Sequence, residues 1–358
     1  MINSAYIHIP FCKSKCKYCS FVSYTNLELK DSYLFALKDE INNFYNREYL
    51  KTLYFGGGTP SNLSAEEFEQ IIKLFNISDN TEITVELNPE TINLEYLQEL
   101  KSLGVNRLSF GCQTFNDDIL KFIGRRHSSV DVLNAVSYSK QAGFKNISID
   151  FIYGLPNQKL GDFKKDLLRA IELDIQHISL YGLKIDENCY FAKYPPDNLP
   201  DDDAQANMYL LAIELLSKNN FEHYEISNFS KKGFNSKHNF NYWDNNFYYG
   251  FGCAAHGYVN GERYYNSVNL EEYISHNYRN LHRVTAQEQL EEEIFLGLRK
   301  MSGIDIERIN EKFSIDFLKK YHNILDKYKD YFEVNQRCLK LTDRGILISN
   351  VILADFLQ

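Results

Sequence analysis

Three cysteines fall within eight residues of this 358-residue chain: Cys12, Cys16 and Cys19, in HIPFCKSKCKYCSF (8–21). Structural zinc sites are closed by four protein ligands, usually as two separated pairs, and no second pair follows here. His8 could in principle be a fourth ligand, but it alternates within the strand-like AYIHI, where a ring is expected to pack or hydrogen-bond. A cubane iron–sulfur cluster normally takes four thiolates, so three leave one iron open to an outside ligand. The spacing therefore points to a [4Fe-4S] cluster with a reactive iron, held by Cys12, Cys16 and Cys19. The remaining cysteines, Cys112, Cys189, Cys253 and Cys338, are isolated and read as small buried hydrophobes.

Further residues with chemical potential sit where strand-like runs end. Gly56-Gly57-Gly58-Thr59-Pro60 follows TLYF, and glycine there lets the backbone approach a ligand and offer its amides. Glu86 and Asp150 stand near the ends of apolar runs, where an unpaired carboxylate is costly and a ribose hydroxyl or basic group is the expected partner. Gln113 and Arg125 supply a polar and a cationic complement.

The elements that must carry them are six strand-like runs, at 5–10, 52–58, 83–89, 107–113, 148–156 and 177–183, each followed by a helix-like segment. Phe68, Ile71, Ile72 and Phe75 show the helical spacing. Six alternations imply parallel strands with right-handed crossovers, in an open doubly wound sheet or an incomplete barrel. In either arrangement chemistry belongs at the C-terminal strand ends, so five of these ends are expected to converge on one mouth.

The composition, 44% hydrophobic and 24% charged, is that of a soluble globular chain, with no apolar run long enough to span a bilayer. The first strand-like run starts at Ala5, leaving no room for a secretory leader, so the cytoplasm is the expected compartment. A net charge of −9 argues against an extended nucleic-acid surface. KYPPDNLPDDD (193–203) marks a break. We expect a core over 1–200, an aromatic-rich extension over 201–285 and a C-terminal helical domain over 286–358. The extension includes FNYWDNNFYYGF (240–251), with seven aromatic rings and the one tryptophan. In the C-terminal domain, Leu290, Ile294, Leu298 and Met301 form one face and CLKL a short strand. The acidic run at 291–293 suits a packing module better than a DNA-binding one.

The motif C-x3-C-x2-C, with Tyr18 before its last cysteine, resembles the radical S-adenosylmethionine superfamily. YIHIPFC, YFGGGTPS, GRRH (124–127) and IDFIYGLP (149–156) resemble, within it, the oxygen-independent coproporphyrinogen III oxidase family, over nearly the whole chain. The resemblance implies an α/β fold: an incomplete (β/α)6 TIM-like barrel followed by a C-terminal winged-helix-like domain. It also implies that S-adenosylmethionine chelates the open iron and yields a 5′-deoxyadenosyl radical on reduction. Contacts to that cofactor are implied for Tyr6, Tyr18, Gly57, Gly58, Thr59, Glu86, Gln113, Arg125 and Asp150.

The family holds two activities: oxidative decarboxylation of coproporphyrinogen III propionates to vinyl groups, and heme chaperoning. Phe21 replaces a further cysteine that the oxidases carry, the segment before Cys12 is short, and His238-Asn239-Phe240-Asn241-Tyr242-Trp243 matches the HNxxYW pattern of the chaperone branch. All three features favour the chaperone, with heme as cargo and a membrane haemoprotein, such as a respiratory cytochrome, as acceptor. Such a protein would be cytoplasmic, with peripheral attachment to the membrane at delivery; a homodimer is compatible with this reading. Neutral imidazole is a common axial ligand of heme iron, which makes His238 the expected ligand; a hydrogen-bonded core histidine is the alternative.

Overall fold

The computed structural model describes residues 2–276 and 279–357. Six parallel strands pair in chain order: β1 (Ser4–Ile9), β2 (Thr52–Gly57), β3 (Glu82–Leu87), β4 (Arg107–Gln113), β5 (Ile147–Tyr153) and β6 (His177–Gly182). Their apolar residues, among them Ile7, Phe55, Val85, Phe110 and Ile149, are fully buried, as parallel strands covered by crossover helices must be. The helix Ala65–Ile72 shows how local sequence prepares that covering layer. Ser64 and Glu67 close a capping box at its start, and Phe68, Ile71 and Ile72 turn inward. Ser128 and Asp131 cap the helix Ser129–Gln141 in the same way.

The six strands do not close on themselves. Residues of the aromatic-rich stretch extend both edges: β7 (Glu222–Glu225) and β8 (Asn228–Ser230) add antiparallel strands beyond β6, and β9 (Tyr249–Phe251) lies parallel to β1. The sheet order is thus β7-β8-β6-β5-β4-β3-β2-β1-β9. Extra strands protect the two edges from unwanted pairing. The Pro/Asp-rich run leads into a long helix, Asp202–Lys218, whose first turn is capped by Asp201.

The C-terminal residues build a second core around Leu290, Ile294, Leu298, Ile309, Phe317, Leu339 and Phe356. A three-stranded sheet of Ile304–Asp305, Cys338–Leu341 and Phe332–Val334 flanks the helices. Glu293 accepts from Arg308 at 3.0 Å and Lys312 at 2.5 Å, so this acidic residue holds the module's own helices together. The module docks on β7 through backbone bonds, Ile226 N to Arg299 O at 2.9 Å and Met301 N to Tyr224 O at 3.1 Å. Among the described residues no helix is long and apolar enough to cross a membrane.

Candidate functional site

The loop after β1 is pinned along its length by backbone bonds. Cys12 N donates to Tyr24 O at 2.9 Å, and Lys17 N donates to Ile123 O at 2.9 Å. This fixes three sulfurs toward one cavity of about 1040 Å³, lined by Cys12, Cys16 and Cys19. The Thr59 hydroxyl donates to Cys12 Sγ at 3.4 Å, and Arg125 Nη1 to Cys16 Sγ at 3.7 Å. Burial, as the largest cause, pushes the thiols of Cys12 and Cys19 up. Thiolates there need a cation to replace their protons. Three sulfurs on one cavity, with a fixed guanidinium beside them, suit a cuboidal iron–sulfur cluster better than a single metal ion.

The glycine run forms the cavity wall after β2. Gly57 has φ +109°, and a Cβ there would lie 2.6 Å from the His8 ring. At Gly58 a Cβ would meet Ile9 O, Phe11 N and Phe11 O at 2.9 Å. Backbone alone fits between β1 and the cavity, which leaves room for an amino-acid-sized ligand beside the cysteine loop.

Glu86, at the end of β3, accepts from Tyr54 OH at 2.7 Å and from Gly57 N at 3.2 Å. Burial raises its carboxyl to about 7, against the lowering effect of the Tyr54 bond. Asp150, on β5, accepts from Ser109 Oγ at 3.1 Å and Ser148 Oγ at 3.4 Å, and burial again pushes it up. Gln113 ends β4 at a bulge and is left-handed, φ +69°. Such strain in a non-glycine residue clusters at ligand sites, and here it accompanies the side chain's place on the cavity wall. Arg125 is held in place by donating to Gly111 O at 2.7 Å, Asn88 Oδ1 at 2.9 Å and His127 Nδ1 at 3.3 Å.

The fold brings together Cys12, Cys16, Cys19, Tyr18, Gly57, Gly58, Thr59, Glu86, Gln113, Arg125 and Asp150 on one cavity. Tyr6 lies apart from that wall: its ring stacks on Tyr54 at 6.0 Å and its hydroxyl meets His8 Nδ1 at 3.0 Å. His238 is also elsewhere, 1% exposed, with Nδ1 on Thr52 Oγ1 at 2.7 Å and Nε2 on Tyr242 OH at 2.8 Å. Both nitrogens are engaged and burial lowers the ring to about 3, so it is a neutral core imidazole. The axial-ligand expectation is corrected accordingly: neither nitrogen is free to meet an iron in this packing.

Two parts of the site escape the sequence reading. Asn88, which orients Arg125, lies two residues past Glu86 at the same strand end, a position the strand-end rule could have flagged. Among polar residues that include Lys184, Asp202, Asp203 and Gln205, the far wall carries an apolar and aromatic patch made by Ile152, Leu180, Tyr181, Tyr209, Leu347 and Ile348. Its last two residues come from the C-terminal module, and no local signal announces them.

Residues 6–170 match the radical SAM superfamily and residues 284–348 the HemN C-terminal domain. The heme chaperone HemW of Bacillus subtilis (strain 168) is 39% identical over 376 residues, covering 99% of both chains. That of Lactococcus lactis subsp. lactis (strain IL1403) is 40% identical, covering 99% of this chain and 97% of its own. In fold, the chain resembles the solved coproporphyrinogen III oxidase HemN from Escherichia coli, a radical SAM enzyme. The TM-score is 0.89 at 23% identity, over 100% of this chain and 90% of that one. The radical SAM domain implies a [4Fe-4S] cluster and S-adenosylmethionine, which together supply one-electron chemistry when bound. On its full-length similarity to the HemW proteins and its cysteine-lined cavity at the strand ends, the chain belongs to the HemW family of radical SAM proteins.

Proposed function

We propose that this chain is a heme chaperone. Cys12, Cys16 and Cys19 hold the cluster, and Tyr18, Gly57, Gly58, Thr59, Glu86, Gln113, Arg125 and Asp150 contact S-adenosylmethionine. Tyr6 acts from beneath, through Tyr54. Heme rests against the apolar wall and is handed to a membrane haemoprotein by a cytoplasmic protein that meets the membrane only peripherally. The core to residue 200 carries the cofactors, the 201–285 segment seals the barrel, and 286–358 closes the mouth over the cargo.

One observation carries the reading beyond the relatives' names. The cavity of about 1040 Å³ runs from the cysteine loop to a broad apolar wall. That is at the upper end of the ~300–1,000 Å³ usual for a small-molecule pocket, and its length leaves space for a flat macrocycle beside the cofactor. The same adjacency favours one alternative, the oxidase, since it would set a propionate-bearing tetrapyrrole next to the cluster.

The test is an anaerobic hemin titration of cluster-reconstituted protein, followed by visible absorbance. The chaperone reading expects saturable, stoichiometric binding. It also expects that Cys16→Ala abolishes the iron–sulfur absorption, whereas Cys112→Ala, at a buried position, retains it. Formation of vinyl product from coproporphyrinogen III, with S-adenosylmethionine and a reductant, would establish the oxidase instead.

A further inference from the structure

Arg299 stands out as a charged group in the cavity with nothing to bind. It lines the same space as the cysteines, from the C-terminal module, beside Tyr209, Ile226 and Ile348. Its Nε is buried without a hydrogen-bond partner, and among the described residues no ion pair within 4.0 Å involves its guanidinium. Glu225, the acid whose charge acts on it, is not in hydrogen-bond contact; its oxygens accept from Ser227 N and Asn228 Nδ2. A guanidinium has five donors in a rigid fork, and burying this Nε unpaired costs free energy.

The side chain is nonetheless well positioned. Its Cζ sits 4.7 Å from the ring centroid of Phe295 and 5.5 Å from that of Trp243, the last residue of the HNxxYW segment. The indole Nε1 of Trp243 is likewise buried and unpaired. The backbone of Arg299 is anchored by the bond from Ile226 N. A planar cation held between aromatic faces, with its donors free, is preorganised for a carboxylate.

We propose that Arg299 is a carboxylate-binding subsite for a propionate of the tetrapyrrole, orienting the macrocycle on the apolar wall. This rests on the tetrapyrrole reading above and deepens it. It also gives the HNxxYW segment a part in cargo binding through Trp243, which supports the cation, and not through its histidine.

The test compares hemin with hemin dimethyl ester, in which both propionates are neutral, on native protein, Arg299→Gln and Arg299→Lys. The iron–sulfur absorption checks folding and loading. The expected result is that Arg299→Gln weakens hemin binding at least about tenfold, as loss of a charge-assisted bond implies. Arg299→Lys should retain part of the affinity, and the ester should bind native protein and Arg299→Gln equally. Equal hemin affinity in native protein and Arg299→Gln would overturn the subsite while leaving the heme reading intact. Equal losses for hemin and ester would also overturn it, by showing a packing role. No saturable binding of either compound to native protein would remove the heme reading and, with it, the subsite.

Discussion

The imidazole of His238 lies flat against the ring of Tyr54, 4.9 Å between centroids and 24° between planes, directly behind the hydroxyl that donates to Glu86. Glu86 in turn holds Gly57 N. A core histidine is thus three contacts from the glycine wall of the cavity, through Tyr54 and Glu86, and its packing supports that wall.

His238→Ala is therefore expected to act on stability and on the cofactor, not on heme. It removes a buried ring and strips the Thr52 and Tyr242 hydroxyls of their partner, a loss of about 2–4 kcal/mol. Thermal unfolding should shift down and S-adenosylmethionine affinity should weaken. Hemin stoichiometry should persist. Loss of hemin binding with an unchanged unfolding transition would instead make the ring an iron ligand.

Gly57→Ala tests the wall directly. The positive φ costs an alanine about 1–2 kcal/mol, and its Cβ would press on the buried His8 ring. Equilibrium dialysis should show S-adenosylmethionine affinity reduced at least about tenfold, the equivalent of ~1.4 kcal/mol. Affinity equal to that of the native protein would mean that this backbone does not form the cofactor cradle.

Glu225 gives a pH signature at the junction between barrel and C-terminal module. Burial raises its carboxyl from 4.5 to about 7, opposed by its bonds from Ser227 N and Asn228 and by the charge of Arg299. A raised folded value means that its stabilising effect is complete below the unfolded value and is lost as pH rises through about 7. Between these limits the group contributes a decline of roughly 3–3.5 kcal/mol in unfolding free energy. Glu225→Gln should flatten that slope in denaturant titrations at about pH 5 and about pH 8. A flip of Asn228, whose Oδ1 is now unpaired, can accommodate the new amide. An identical slope in the variant would place the titration elsewhere.

The chain's own pattern determined the cluster loop, the six strands and the convergence of their ends. Each is a local or periodic property: three thiols within eight residues, apolar runs with helices between, and glycine where only backbone fits. In a parallel sheet the strand ends must share one face, so Glu86, Gln113 and Asp150 could be assigned to one mouth before any contact was known. What lines the rest of that mouth was decided by packing between distant segments. Thr52 and His238 are 186 residues apart, and only the tertiary structure shows that they bond and that the HNxxYW histidine is enclosed. Arg299 lies in the turn just past the helix Ala286–Gly297, where no motif or spacing in the sequence marks it. It reaches the cavity because the C-terminal module hydrogen-bonds to β7, a long-range pairing that no periodicity encodes.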